Sequence, residues 1–235
     1  MAFGEAGSIT TNSPTENAPI TVNLTQPLTN PVFALTATNN GGNQFVLRVI
    51  GETLDANGDT TAFTFIIEEW EYHAGPHGAV EDINWLASEE GVRTLPDGRV
   101  VEAGTVSASN TNASVTLTGG FAAPPVVLTS VMSENDTTTV DSDPLNITAS
   151  GFNVRLQEEE NEDGVHPLET VGYIAIQSGG DANSGTADTF NNFDEVTRTY
   201  SLGDTFTDAI VVAETQTING GDTATVVIDG QSNSA

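Results

Sequence analysis

The sequence predicts an all-β protein, on three observations. Val, Ile, Thr and Phe alternate with polar residues in short runs, the spacing that turns one face of a strand inward and the other outward. Clusters of Gly, Asn, Asp and Pro separate the runs, as turns separate strands. No segment sustains a 3.6-residue apolar period, so helices are expected to be short or missing. The runs follow in order: Ile20 to Leu24, Val32 to Thr36, Phe63 to Ile67, Val115 to Leu117, Val126 to Val131, Phe152 to Leu156, Ile210 to Val212 and Ala224 to Ile228. Ahead of the third lies Asp55-Ala56-Asn57-Gly58-Asp59, which superficially suggests a calcium loop. That loop would want glycine after its third acid and a closing glutamate, where Thr60 and Ile66 stand. Asn-Gly between strands is a hairpin signal, so a turn is the better reading.

The runs belong to a repeat. Glu5-Ala6-Gly7-Ser8-Ile9-Thr10 recurs as Glu102-Ala103-Gly104-Thr105-Val106-Ser107. Asn30-Pro31-Val32-Phe33 matches Pro124-Pro125-Val126-Val127 and, more loosely, Asp208-Ala209-Ile210-Val211. The turn Asn40-Gly41-Gly42-Asn43 has its counterparts in Glu134-Asn135-Asp136 and Asn219-Gly220-Gly221-Asp222. Further on, Ala62-Phe63-Thr64-Phe65 matches Gly151-Phe152-Asn153-Val154, Gly75-Pro76-His77 matches Gly164-Val165-His166, and Trp85-Leu86-Ala87 matches Tyr173-Ile174-Ala175. The expected division is a sandwich over 1–104, a second over 105–190, and the first strands of a third over 191–235. A half-sandwich of this size cannot bury a core of its own. Continuation of the chain past Ala235 is the favoured resolution, strands from a neighbouring copy the second, and packing within the chain the third.

Charge narrows the function classes. Five arginines and no lysine face 33 acids over 235 residues, a net charge of −28. Such a surface repels phosphate backbones and anionic lipid, so neither nucleic acid nor membrane insertion is expected, and no apolar stretch approaches the roughly 18 residues of a span. With no cysteine there is neither a disulfide framework nor a thiolate metal site. No Ser or Thr sits in a nucleophile-elbow context, and Gly179-Gly180 and Gly220-Gly221 lack the strand-to-helix setting of a phosphate loop. The expectation is that this is not an enzyme.

Unit two carries a family resemblance. Phe121-Ala-Ala-Pro-Pro125-Val-Val, Asn146-Ile-Thr148, Ser150-Gly151-Phe152-Asn-Val154 and Val171-Gly-Tyr173-Ile-Ala175 resemble the H-type lectin domain pattern, and the same order resembles tandem units of large secreted bacterial surface proteins. The resemblance implies six-stranded antiparallel sandwiches, often trimeric, that bind galactose-type sugars between subunits. It further implies an extracellular or cell-surface location, with carbohydrate or neighbouring copies of the chain as partners, in a homo-oligomer or polymer.

Two sets of residues carry the candidate chemistry. Glu158, Glu160, Asp163, His166 and Glu169 gather hard oxygen ligands and an imidazole at a strand end and its loop, which suits calcium. The alternative is a solvated strand end in a protein acidic throughout, and it is favoured because no calcium-loop spacing is matched. His77 and Glu81 repeat His166 and Glu169. The imidazoles either anchor a ligand or pin their loops, and recurrence in divergent units favours pinning. Trp70 and Tyr72 stand at positions that unit two fills with Glu159 and Asn161. That exchange predicts an exposed face, hence a sugar-stacking platform or a subunit interface. Two functions remain: a surface adhesion and assembly protein with carbohydrate binding, or a purely structural subunit of an extracellular filament, sheath or surface layer.

Overall fold

In a computed structural model, residues 2–230 are described apart from 42, 74, 160, 163, 192, 193, 195 and 219–222. The last group takes the third copy of the repeated turn outside the described residues, and Gly42 of the first copy lies outside them too. The chain is all-β, in separate, almost wholly antiparallel sheets. Unit one contributes β1 (Gly4–Thr11), β2 (Ile20–Leu28), β3 (Pro31–Thr38), β4 (Phe45–Leu54), β5 (Thr60–Glu69) and β6 (Glu81–Glu89). A short 3₁₀ turn, Glu71–His73, follows β5. Then come β7 (Gly91–Thr94), β8 (Val100–Ala108), β9 (Ala113–Thr116), β10 (Val126–Val131), β11 (Asp141–Thr148), β12 (Gly151–Gln157) and β13 (Glu169–Ile176). A small hairpin, β14 (Gly179–Asp181) and β15 (Gly185–Ala187), and the short β16 (Val227–Ile228) complete the list.

The strands order as β1-β6-β3-β16 and β2-β5-β4 in unit one, and as β10-β13-β8-β7 and β11-β12-β9 in unit two. In each unit the two sheets share one core. Val22, Phe63 and Phe65 meet Phe33, Ile83 and Trp85 in the first, and Val115, Phe152 and Val154 meet Val127, Val171 and Tyr173 in the second. Phe63 and Phe152, equivalent in the repeat, are both buried. The expected break at 104–105 falls inside β8, which pairs with β13 along its length while β7 pairs with β8. Strand pairing therefore joins residues from Gly91 onward to unit two.

The repeated Glu-Ala-Gly has a physical reason in both copies. Gly7 pairs with Trp85 and Gly104 with Tyr173, and a Cβ at either glycine would lie 2.5 Å from the indole or 2.8 Å from the phenol oxygen. The missing side chain is where the aromatic ring lies. The glutamates act on the adjoining loops. Glu5 accepts from the Thr25 amide at 2.9 Å, and Glu102 accepts from the Thr118 and Gly119 amides at 2.8 and 2.7 Å. Between β4 and β5, Asp55 accepts from the amides of Asn57 and Asp59, and Gly58 takes φ +89°, so this segment is a hairpin turn.

β3 and β10 are buried on both faces, because each also packs against other units. A third cluster holds Val32 and Ala34 of β3, Leu128 of β10 and Ile174, with Leu86, Met132 and Val212 against it. In the repeat register Ala34, Leu128 and Val212 are equivalent positions, as are Leu86 and Ile174. Three copies of one strand therefore converge on a common core. The joints between units repeat as well. Thr139 Oγ1 of unit two donates to the Glu69 carbonyl of unit one at 3.1 Å, and the equivalent Thr223 of unit three donates to the Glu158 carbonyl of unit two. β16 returns to pair with β3 in parallel, so unit three also touches unit one. The expectation that ranked packing within the chain last is thereby corrected. The extended arm 209–216 docks on both units: Thr36 Oγ1 donates to the Ala213 carbonyl, Asn84 donates to that of Val211, and the Val127 amide donates to Gln216. Val212 gains apolar burial there without the half-unit needing a core of its own.

Candidate functional site

The histidines of the repeat lie in matching constellations. In unit one, Glu69 ends β5, Glu81 opens β6, and His77 lies between them with Nδ1 2.9 Å from Glu69 and Nε2 3.2 Å from Glu81. In unit two, Nδ1 of His166 is 3.0 Å from Glu158 and Nε2 is 3.2 Å from Glu169. All six side chains are buried. A carboxylate only accepts, so both contacts need a proton on each ring nitrogen or one on a facing carboxyl. The outer glutamate then holds the repeated turn. Glu81 accepts from the Asn40 amide at 2.8 Å and from Thr38 at 2.7 Å, while Glu169 accepts from the Asn135 amide at 2.8 Å and from Ser133. Strand end, imidazole, strand start and turn are tied in one buried chain of hydrogen bonds.

This geometry bears on the expected calcium set. Glu158, His166 and Glu169 are brought together, but around the imidazole, whose two nitrogens both face carboxylates. Glu160 and Asp163 lie outside the described residues. A different carboxylate group forms where units one and two meet: Glu71, Glu159 and Glu162, whose oxygens lie within 4.8 Å of one another. Glu71 also accepts from the Thr139 amide, and Glu159 accepts from that of Tyr72 at 3.2 Å.

The aromatic pair divides. Tyr72 is 49% exposed, whereas Trp70 is 3% exposed, so the expected exposed face is corrected at Trp70. Strand parity fails there because the chain leaves β5 at Glu69 and turns through the 3₁₀ segment. The equivalent Glu159 is buried too, so substitution between units marks a joint rather than solvent.

Residues that sequence reasoning passed over hold the units together. Arg48 on β4 is fully buried, ion-pairs with Glu68 at 2.8 Å, and donates to the Asp136 and Thr138 carbonyls of unit two at 2.8 and 2.7 Å. Burial pushes Glu68 up to about 7 in spite of the arginine. Arg48 faces Ile66 across the sheet, and Asp143 faces Arg155, so the register makes Arg48 and Asp143 equivalent. The signal was an arginine aligned with an aspartate inside an otherwise apolar strand. The two best-formed depressions among the described residues hold about 40 and 100 Å³. Small-molecule sites usually enclose roughly 300–1,000 Å³, so the structure offers surfaces and joints rather than a deep cleft.

These features describe a class: tandem β units whose most distinctive polar groups are spent on internal ties. Halomucin of Haloquadratum walsbyi (strain DSM 16790 / HBSQ001) is similar to this chain, 30% identical over 211 residues that make up 85% of it. The chain spans 2% of the length of that relative. No protein-family model matches the chain, and no solved structure matches it significantly.

Proposed function

We propose that this chain is a non-enzymatic structural segment of an extracellular or cell-surface protein, built of H-type lectin-like repeats. The observation that carries the reading is the pair of buried Glu–His–Glu ties. Both copies of the repeat's chemically richest motif are buried and hold loops, and the depression that Glu69 helps to line encloses only about 100 Å³. The likeness to halomucin supports a surface setting, because a very long protein containing such a segment suits a coat or sheath. The charge of −28 fits that role, since mutual repulsion keeps crowded acidic chains hydrated. Immunogold labelling of intact source cells tests it: label along the envelope or its filaments is expected, and label confined to the cell interior overturns it.

A second reading, carbohydrate adhesion, is favoured by one observation. Tyr72 is exposed and its backbone amide donates to Glu159, one of the three carboxylates with Glu71 and Glu162; ring and carboxylates together could stack a sugar and hold calcium. Glycan-array binding that is lost with chelator and with Tyr72→Ala is the expected result. Equal signal from the parent and the variant overturns this reading while leaving the structural one intact.

A further inference from the structure

One position of the repeat carries different chemistry at each joint. The joint from unit one to unit two is closed by Arg48 on backbone carbonyls. At the joint from unit two to the arm 209–216, the equivalent residue is Asp143, with its carboxylate buried among further carboxyl groups. Thr215 of the arm donates to Asp143 at 2.9 Å. Its neighbour Glu214 takes a 3.2 Å bond from Thr129 of β10, and Thr129 in turn bonds Ser142, between Asp141 and Asp143 on β11. Asp141 and Glu214 line one depression with Thr129 and Ala213, and Asp143 is bonded by the next residue of the arm, so the three acids surround the place where the arm seats.

We propose that the seat of arm 209–216 is a proton-operated clasp, closed when Asp141, Asp143 and Glu214 share protons and loosened when all three are ionised. The groups facing the cluster among the described residues are these three acids and Arg155, opposite Asp143 on β12. Burial and then repulsion from the neighbouring acids hold Asp141 and Glu214 well above the carboxylate range, and burial holds Asp143 at about 6. Docking therefore takes up protons. It is strongest below the range of a free carboxylate and weakens as pH rises through these raised values. Each pH unit crossed between a group's free and docked values changes the docking constant by about tenfold. A loosened arm would uncover the shared cluster around Val212 without disturbing Arg48.

Hydrogen exchange of the whole chain at pH 5 and pH 8, corrected for intrinsic rates, tests the clasp. Protection of 209–217 is expected to fall by about tenfold or more at the higher pH, while that of 136–139 in the arginine joint changes less. Equal protection of the arm at both values overturns the proposal. So does parallel loss in both segments, which would report global unfolding. In the double variant Asp141→Asn, Glu214→Gln the arm is expected to stay protected at pH 8, with 171–176 as the control for an intact sheet. Loosening like that of the parent overturns it.

Discussion

The two joints of this chain use one backbone geometry with opposite electrostatics. From unit one to unit two, Thr139 bonds a strand-end carbonyl and Arg48 fills the position behind it. From unit two to unit three, Thr223 repeats the first contact and Asp143 replaces the arginine. A guanidinium satisfies carbonyls with fixed donors at any physiological pH. A carboxyl contributes a donor only when protonated, so the second joint titrates at the seat itself, whereas in the first the donors stay charged and only Glu68 beside them titrates. Repetition has conserved the seat while changing how firmly each occupant is held.

The largest expected effect comes from removing the cation. Arg48→Met leaves Glu68 buried beside two carbonyls that have lost their donor, and is expected to cost about 3–5 kcal/mol in urea unfolding. The double variant Arg48→Met, Glu68→Leu should recover much of that, because the stranded charge goes with its partner. At the other joint Asp143→Asn is expected to be neutral or stabilising at pH 8. A loss there as large as that from Arg48 would erase the distinction between the joints.

Acidity comes next. Folded-state values are raised for Glu68, to about 7, and for Asp143, to about 6, with Asp141 and Glu214 raised well above the usual range. Groups raised on folding stabilise the fold fully below their unfolded values and lose that contribution as pH rises through the folded ones. Asp55, Asp97, Asp136, Asp181 and Asp194 are lowered, chiefly by hydrogen bonds to backbone and side chains, and their contribution is lost as pH falls through the folded values. The melting temperature is therefore expected to rise on mild acidification from about pH 8 towards 5, then to fall in stronger acid. A maximum at pH 8 in a calorimetric series would contradict the raised values.

The histidine ties are built alike but supported differently. Glu169 has Arg48 at 4.0 Å, whereas Glu81 rests on the Asn40 amide and Thr38, with no arginine paired to it among the described residues. His77→Ala should accordingly cost more than His166→Ala, about 3 kcal/mol against about 2, since a stranded carboxylate is more costly with no arginine nearby. Equal losses would show that Arg48 lends Glu169 no support.

Sequence reasoning reached some of this and missed the rest for identifiable reasons. Alternation located β2, β3, β5, β9, β10, β12 and the end of the run that holds β16, but it passed over β1, β4, β6, β8, β11 and β13. Its run Ile210 to Val212 docks without forming a strand. Phe63 and Phe152, matched in the repeat, are both buried. The histidine–glutamate spacing pointed to a pinned loop, but the second partners, Glu69 and Glu158, lie eight residues upstream, at the end of β5 and just past the end of β12. Trp70 was misplaced because strand parity was carried past the end of β5. Arg48 and Asp143 were passed over because their partners lie far along the chain, as with Arg48 and Thr138, 90 positions apart. Periodicity reports which face a residue takes, and nothing in it names a partner in another unit.

The smallest effect sharpens the comparison most directly, because it changes one matching atom in each joint. Thr139 Oγ1 bonds the Glu69 carbonyl in a buried setting, while Thr223 Oγ1 bonds the Glu158 carbonyl where the seat is only part-buried. Replacing threonine by valine keeps the shape and removes the donor, leaving a carbonyl to be satisfied by water where water can reach. Thr139→Val is therefore expected to cost about 1–1.5 kcal/mol, and Thr223→Val about 0.5 kcal/mol, in urea titrations read by circular dichroism. The ordering is also expected to depend on pH. Above the clasp's titration the arm spends more time undocked, so the Thr223 bond is made less often and its loss should shrink towards zero. Thr139, held in place by the arginine joint, should keep its full effect. Losses that match at pH 8 would mean that both joints close equally tightly, and that the change from Arg48 to Asp143 leaves the strength of the seat untouched.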